Sequence, residues 1–319
     1  VIRSVSILIP THDRCEILER SLQSLERLEL PRTVSVEAVV VANACSDATE
    51  AVVRKRAAAA PFPLRLLREP TPGLNPARNA GVRAAEGEIL AFLDDDAFVE
   101  PGWLHGLLAA FERHPADLVA GRVSLWWEAV ARPDWVSDAV ERLLSRLDLG
   151  DETRPLPRPE TLVGANFAVR REVADAVGDF APNLDRSGRE LLSGGDTEFA
   201  IRAERAGYRL YYAPAMAVRH RVEPGRLARP HLDRLARGRG RTAVVLAGMT
   251  GDPRRLGLLR EGVAQIAYGG WLELRSGIGR DRRRRVHGRL IRMRGLGKVE
   301  QVLRDLPRRF ATDPGTSPG

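Results

Sequence analysis

Cysteine is almost missing from this chain of 319 residues, which has only Cys15 and Cys45. Two cysteines exclude a disulfide-built scaffold, and their spacing fits no zinc pattern, so two buried free thiols in a reducing compartment are expected. Long apolar runs are missing too. Residues 243–249 form one of the longer ones, far short of the roughly 20 residues that cross a bilayer, and residues 1–10 read as a strand instead of a signal peptide. These absences give the expectation of a cytoplasmic protein. Also missing is a glycine-rich loop after the first apolar run: the turn there is Thr11-His12-Asp13-Arg14. That excludes a dinucleotide fingerprint of the Gly-x-Gly-x-x-Gly kind and argues against a sugar nucleotidyltransferase.

The length suffices for one sizeable α/β domain with an appendage. The net charge of +8 hides an asymmetry. Residues 1–219 hold 27 Lys and Arg against 33 Asp and Glu, net −6, whereas residues 220–319 hold 23 against 9, net +14. Basicity therefore belongs to the C-terminal third, which suggests a surface for anionic membrane, nucleic acid or a phosphate-bearing substrate and not a basic catalytic cleft.

Along the body, short runs rich in Val, Ile and Leu alternate with helical spacing. Strands are expected at residues 5–10, 36–42, 64–67, 89–93 and 118–125, with helices near 17–28, 47–60, 75–85 and 103–113. This alternation predicts a mostly parallel sheet covered on both faces. Ligands of such sheets sit beyond the carboxyl ends of the strands, which here carry residues 11–14, 43–47 and 94–96. Residues 125–159, with several prolines and Trp126, Trp127 and Trp135, read as an excursion over the site. A strand at 162–169, a helix at 196–206 ended by Gly207, and short strands at 210–213 and 217–219 follow.

The strongest local signal is Phe92-Leu93-Asp94-Asp95-Asp96 at the end of an apolar strand. Alternation along extended chain turns Asp94 and Asp96 to one side and Asp95 to the other. Adjacent acids repel one another, and a divalent cation bridging them to a diphosphate removes that cost. Mg or Mn suits such oxygen ligands. A solvated acidic turn capping the helix that follows is the competing reading.

Taken with Ser6-Ile7-Leu8-Ile9-Pro10-Thr11-His12-Asp13-Arg14, with Val39-Val40-Val41-Ala42-Asn43-Ala44-Cys45-Ser46-Asp47, and with Gly73-Leu74-Asn75-Pro76-Ala77-Arg78-Asn79-Ala80-Gly81, the triplet makes four motifs in register. Their order resembles the family 2 glycosyltransferases of the GT-A fold, over about residues 4–222. The resemblance implies an inverting transfer from a nucleotide sugar, commonly a uridine diphosphate sugar, with Mg or Mn. It places Pro10, Thr11 and Asp13 under base and ribose, Asn43 and Asp47 near the nucleotide, and Arg78 on the diphosphate. Asp94 and Asp95 would face ribose or metal, with Asp96 as the metal-binding carboxylate, joined by Asp94 and His220. Asp196, in Ser193-Gly194-Gly195-Asp196-Thr197-Glu198, matches the catalytic base. Asn166, Gly195, Glu198 and Trp126 are the candidates for acceptor or sugar contact. Two departures stand out: Ala42 occupies a position where the family usually has Asp, and Asp13 replaces a more usual Asn. Helix capping is the competing reading for Asn43, Asp47 and Asp196.

Domains are expected at 1–222 (catalytic) and 223–319 (basic and mainly helical, with a disordered end from about 308). In the second, Leu256, Leu259, Val263, Ile266 and Leu274 recur at helical spacing beside Tyr268 and Trp271, the basic run 280–285 follows, and a last helix is expected around 290–306. That reads as amphipathic helices peripheral to an anionic membrane, with a helical subdomain packed on the body or a homodimer interface as alternatives. Nucleic acid is disfavoured because no reading motif accompanies the arginines. The expected partners are a nucleotide-sugar donor and a sugar or lipid-linked acceptor. A nucleotide-sugar-binding protein without catalysis remains the alternative.

Overall fold

The computed structural model describes residues 1–305 apart from 183, 185, 188, 189, 193, 250, 252–254 and 279–280. The expected disordered end beyond 308 lies outside the described residues. Two compact units divide between Leu232 and Asp233, later in the chain than the expected 222.

The first unit opens with β1 (Ser4–Thr11), α1 (Cys15–Leu25), β2 (Ser35–Asn43), α2 (Thr49–Ala57), β3 (Leu64–Glu69), α3 (Leu74–Ala84) and β4 (Ile89–Leu93). Val5, Ile7, Leu8, Ile9, Val40, Val41, Ile89 and Leu90 are wholly buried, as an unbroken apolar strand must be when helices cover both faces of the sheet. There follow β5 (Ala97–Val99), α4 (Trp103–Arg113), β6 (Leu118–Trp126), α5 (Asp138–Leu143), β7 (Arg154–Pro155), β8 (Asn166–Arg170) and α6 (Arg171–Val177). A two-stranded ribbon of β9 (Arg186–Ser187) and β10 (Glu190–Leu191), then α7 (Gly195–Arg205) and β11 (Leu210–Arg221), complete the sheet region.

The sheet runs β3-β2-β1-β4-β8-β6-β11-β5, with β7 on β11. Pairs β1/β2, β1/β4, β2/β3 and β6/β11 are parallel, and β8 enters antiparallel between β4 and β6. The expected mostly parallel α/β sheet is thus present. It differs from expectation in three places. The two short strands near 210–219 are one strand with a register shift between Ala213 and Ala217, the stretch that contains Pro214. The strand at 162–169 begins only at Asn166, after a 3-10 turn at Pro159–Thr161. Finally, β5 was not expected, because three residues carry no periodicity.

The second unit holds most of α8 (Arg229–Met249), with α9 (Arg255–Ile278) and α10 (Arg282–Arg304). The last helix starts eight residues before the expected 290: Asp281 accepts from Arg284 N at 3.0 Å as its N-cap, so the basic run becomes the first turn of α10.

Candidate active site

The acidic triplet leaves β4 in a tight turn closed by Ala97 N donating to Asp94 O at 3.0 Å. Asp95 points back to β1, where Thr11 Oγ1 donates to its Oδ2 at 2.7 Å and Arg14 Nη1 to its Oδ1 at 2.6 Å. Asp96 points to β11. His220 Nε2 lies 3.0 Å from its Oδ1, with Arg14 Nη2 2.9 Å and Arg226 Nη1 3.6 Å from its Oδ2. Arg14 Nη2 also reaches Glu223 Oε1 at 3.2 Å, and Arg226 Nη1 is 3.4 Å from both ring nitrogens of His220. Register places His220 there, since it pairs with Ala97 on β5 and Leu125 on β6.

Burial divides the two inner acids. It raises the Asp95 carboxyl to about 7, against the pull of Arg14, with the charge of Asp96 adding to the rise. Asp96 is wholly buried, yet the charges of His220, Arg226 and Arg14 hold it well below the usual carboxylate range. Ligand atoms of Asp94, Asp96 and His220 all lie within 4.8 Å of one another. Two carboxylates and an imidazole fit Mn, and fit Mg with water completing its shell. The expected convergence of Asp94 and Asp96 is therefore present.

Arg78 projects from α3 into the same region. Its side chain is 3% exposed, with the guanidinium 5.7 Å and 5.6 Å from the ring centroids of Phe167 and Phe180. Nη2 donates to Gly164 O at 3.3 Å and lies 3.9 Å from Asp94 Oδ1, while Nε is buried without a partner. A Cβ added at Gly164 would sit 2.5 Å from Arg78 Nη2 and 2.7 Å from Asp196 Oδ2. The absent side chain thus brings arginine and carboxylate to one point. Asp196 stands in the first turn of α7, its Oδ1 accepting from Thr197 N at 2.9 Å. The same α3 fixes the segment leading to α7: Asn79 exchanges two hydrogen bonds with the Phe180 backbone, at 3.0 and 2.8 Å, and Asn75 Nδ2 donates to Ala181 O and Leu184 O.

Asp13 and Asp47 tie two loops together. Asp13, at φ 48, accepts from Ser46 N (2.6 Å) and Asp47 N (3.2 Å), and Asp47 accepts from Cys15 N (2.8 Å) and Thr49 N (3.0 Å). The donors around Asp47, Thr49 and Cys15, hold its carboxyl down at about 2 against the desolvation that would raise it. Pro10 is buried at the end of β1, two residues before the exposed His12, whose Nδ1 pairs with Asn43 O at 2.7 Å.

Five of the expected contact residues are engaged by other groups of the protein. The Asn43 amide is committed to the loop before α3, donating to Glu69 O and Thr71 O and accepting from Gly73 N. Asn166, wholly buried, accepts from Trp103 Nε1 at 3.0 Å and donates to Arg122 O and Met216 O, bracing the sheet. Gly195 lacks a side chain because Asn75 fills the space, a Cβ there meeting Asn75 Nδ2 at 2.2 Å. Glu198 is buried and doubly bonded to Arg202 at 2.6 and 2.9 Å. The Trp126 ring packs edge-on to Phe98, with Arg20 and Arg219 over it at 5.3 and 4.9 Å. Conversely, Arg14, Glu223 and Arg226 were not assigned from sequence. The signal available was three adjacent acids in need of cations, with arginines in the turns after β1 and β11.

A family model described as Glycosyl transferase family 2 matches residues 6–178. The chain is 29% identical over 220 residues to Glycosyltransferase AglE of Haloferax volcanii, covering 69% of this chain and 67% of that protein. It is 28% identical over 228 residues to Succinoglycan biosynthesis protein ExoM of Rhizobium meliloti, covering 70% and 68%. In fold it is similar to the mannosyltransferase PcManGT of Pyrobaculum calidifontis, solved in complex with GDP-Man and Mn2+, with TM-score 0.66 and 19% identity over 95% of this chain and 88% of that one.

Proposed function

The chain belongs to glycosyl transferase family 2, and from that premise we propose that it moves a sugar, with inversion, from a nucleoside diphosphate donor to an acceptor hydroxyl. Uridine diphosphate is the first choice of nucleotide, and a saccharide or lipid-linked saccharide the acceptor. The succinoglycan in the name of the rhizobial relative supports a saccharide acceptor. The observation that carries the proposal is the convergence of Asp94, Asp96 and His220 within 4.8 Å at the carboxyl end of β4, beside a buried Arg78 and across Gly164 from Asp196.

In this reading Asp196 Oδ2 takes the proton of the acceptor hydroxyl as its oxygen bonds to the anomeric carbon. The bond from that carbon to the diphosphate oxygen breaks, and its electron pair leaves with the diphosphate. Arg78, packed against the rings of Phe167 and Phe180 with one N–H unpaired, faces the developing charge with little reorganisation. A Mn or Mg ion on Asp94, Asp96 and His220 would supply Lewis-acid stabilisation of the same charge. Asp13, Asp47 and Thr11 line the nucleotide side, with Thr11 fixing Asp95.

The test is a panel of nucleoside diphosphates and nucleotide sugars in thermal shift, with and without Mn, followed by transfer of labelled sugar by wild type and Asp196→Asn. Metal-dependent stabilisation by one nucleotide, with turnover falling about 10²- to 10⁴-fold in Asp196→Asn while donor binding persists, is expected. Full-speed transfer by Asp196→Asn removes the base assignment, and absence of turnover in wild type with every donor and a broad acceptor set leaves a binding protein instead.

A further inference from the structure

The second unit contains a helix with two unlike faces. On α9, Gly262 and Gly269 stand seven residues apart and meet Gly295 and Gly288 of α10. A Cβ at Gly269 would lie 2.5 Å from Gly288 O, and one at Gly295 would lie 2.5 Å from Gly262 O. The backbones touch along this seam, where the buried Leu272 packs against Gly288. At about 100° per residue, Ala264, Ala267, Trp271 and Leu274 point within roughly 50° of the direction opposite the seam. The exposures agree: Trp271 is 50% and Leu274 77% exposed, with Tyr268 at 53% and Val263 at 55% on the flanks. Tyr268 and Trp271 stack at 6.0 Å, and the Arg275 guanidinium covers Trp271 at 5.2 Å.

An exposed patch of large apolar side chains of this kind marks an interaction surface. No helix among the described residues is long and apolar enough to cross a membrane. Charge selects the partner. Residues 233–319 hold 20 Lys and Arg against 8 Asp and Glu, net +12. Arg275 flanks the apolar face, Arg260 lies at its N-terminal end on the azimuth of Trp271, from where its long side chain reaches the headgroups, and the exposed residues 282–285, all arginine, follow shortly after α9 ends. A second copy would bring the same positive charge against this face, whereas an anionic surface complements it. Tryptophan and tyrosine beside arginine is the composition of an interfacial helix.

We propose that α9 lies in the plane of an anionic phospholipid bilayer, with Val263, Ala267, Tyr268, Trp271 and Leu274 immersed at the acyl boundary and Arg260 and Arg275 on the headgroups. The proposal is independent of the donor chemistry above. Its test is co-sedimentation of the full chain with vesicles of phosphatidylcholine alone and of equal parts phosphatidylcholine and phosphatidylglycerol, at low and high salt. Circular dichroism melts establish that each variant is folded. Expected are binding to the mixed vesicles only, a loss of about tenfold or more in Trp271→Ser with Leu274→Ser, and about fivefold per charge in Arg260→Glu with Arg275→Glu. Absence of binding to mixed vesicles at low salt overturns the proposal, as does equal binding to phosphatidylcholine alone, or undiminished binding by either folded double variant. Light scattering that finds a dimer broken by Trp271→Ser with Leu274→Ser overturns it in favour of a self-interface.

Discussion

Arg14 is a built-in counter-cation of the acidic triplet, and its removal has a calculable cost. Its two terminal nitrogens contact Asp95 and Asp96, whose side chains are 6% and 1% exposed, while its own side chain is 32% exposed. Breaking a fully buried ion pair costs about 3–5 kcal/mol. The partial exposure of Arg14, and the presence of His220 and Arg226 on Asp96, put Arg14→Ala at the lower end, about 3 kcal/mol. For a unit of this size that lowers the midpoint by roughly 6–12 °C. A cation on Asp94, Asp96 and His220 restores part of the missing charge, so Mn should stabilise Arg14→Ala more than it stabilises wild type; saturation at 100 times the dissociation constant adds about 2.7 kcal/mol. Tryptophan fluorescence of a Trp271→Phe background in urea, with chelator or with Mn, reads the first unit, to which the four other tryptophans, Trp103, Trp126, Trp127 and Trp135, belong. A loss below about 0.5 kcal/mol in chelator, or a Mn increment no larger than that of wild type, refutes the reasoning.

Three further outcomes follow from the geometry. Gly164→Ala drives a methyl against Arg78 Nη2 and Asp196 Oδ2, so transfer should fall about 10²-fold with the melting temperature nearly unchanged, as a steady-state assay beside a melt would establish. Asn166→Ala strips partners from Trp103 Nε1 and two carbonyls in the core and should cost at least about 3 kcal/mol in urea denaturation; a stable variant with only a raised KM for the acceptor would return Asn166 to the sugar. The Asp47 carboxyl sits near 2 in the fold against 3.8 for the free group, so its stabilisation is present above pH about 4 and lost as pH falls through 2. The stability gap between wild type and Asp47→Asn should therefore close across that window, and a gap that stays constant there counts against the loop tie.

The sheet was legible because fully buried strands need continuous apolar runs, and β1, β2 and β4 have them. The acids after β4 were legible because adjacent like charges demand compensation. What escaped was partnership across distance. Asn166 reads as a polar residue at a strand end, and only the fold supplies Trp103 and Met216 around it, 63 and 50 residues away. The glycine at 195 signals close approach, yet sequence does not say that Asn75 is what approaches. Arg14 was visible in its turn, but its pairing with Asp95 and Asp96 depends on β1 and β4 being neighbours in register.

The asparagines of α3 connect two parts of the candidate site, Arg78 and the approach to Asp196, that sequence keeps more than a hundred residues apart. Arg78 rides on that helix, and Asn75 and Asn79 grip the backbone through which the chain travels to Asp196. In the proposed reading Arg78 and Asp196 are the cation that meets the leaving group and the carboxylate that takes the proton, and their approach across Gly164 is set by the sheet region and α3. Exchanging the irregular stretch 125–159 between relatives should then retarget the acceptor while leaving the spacing between departure and attack untouched.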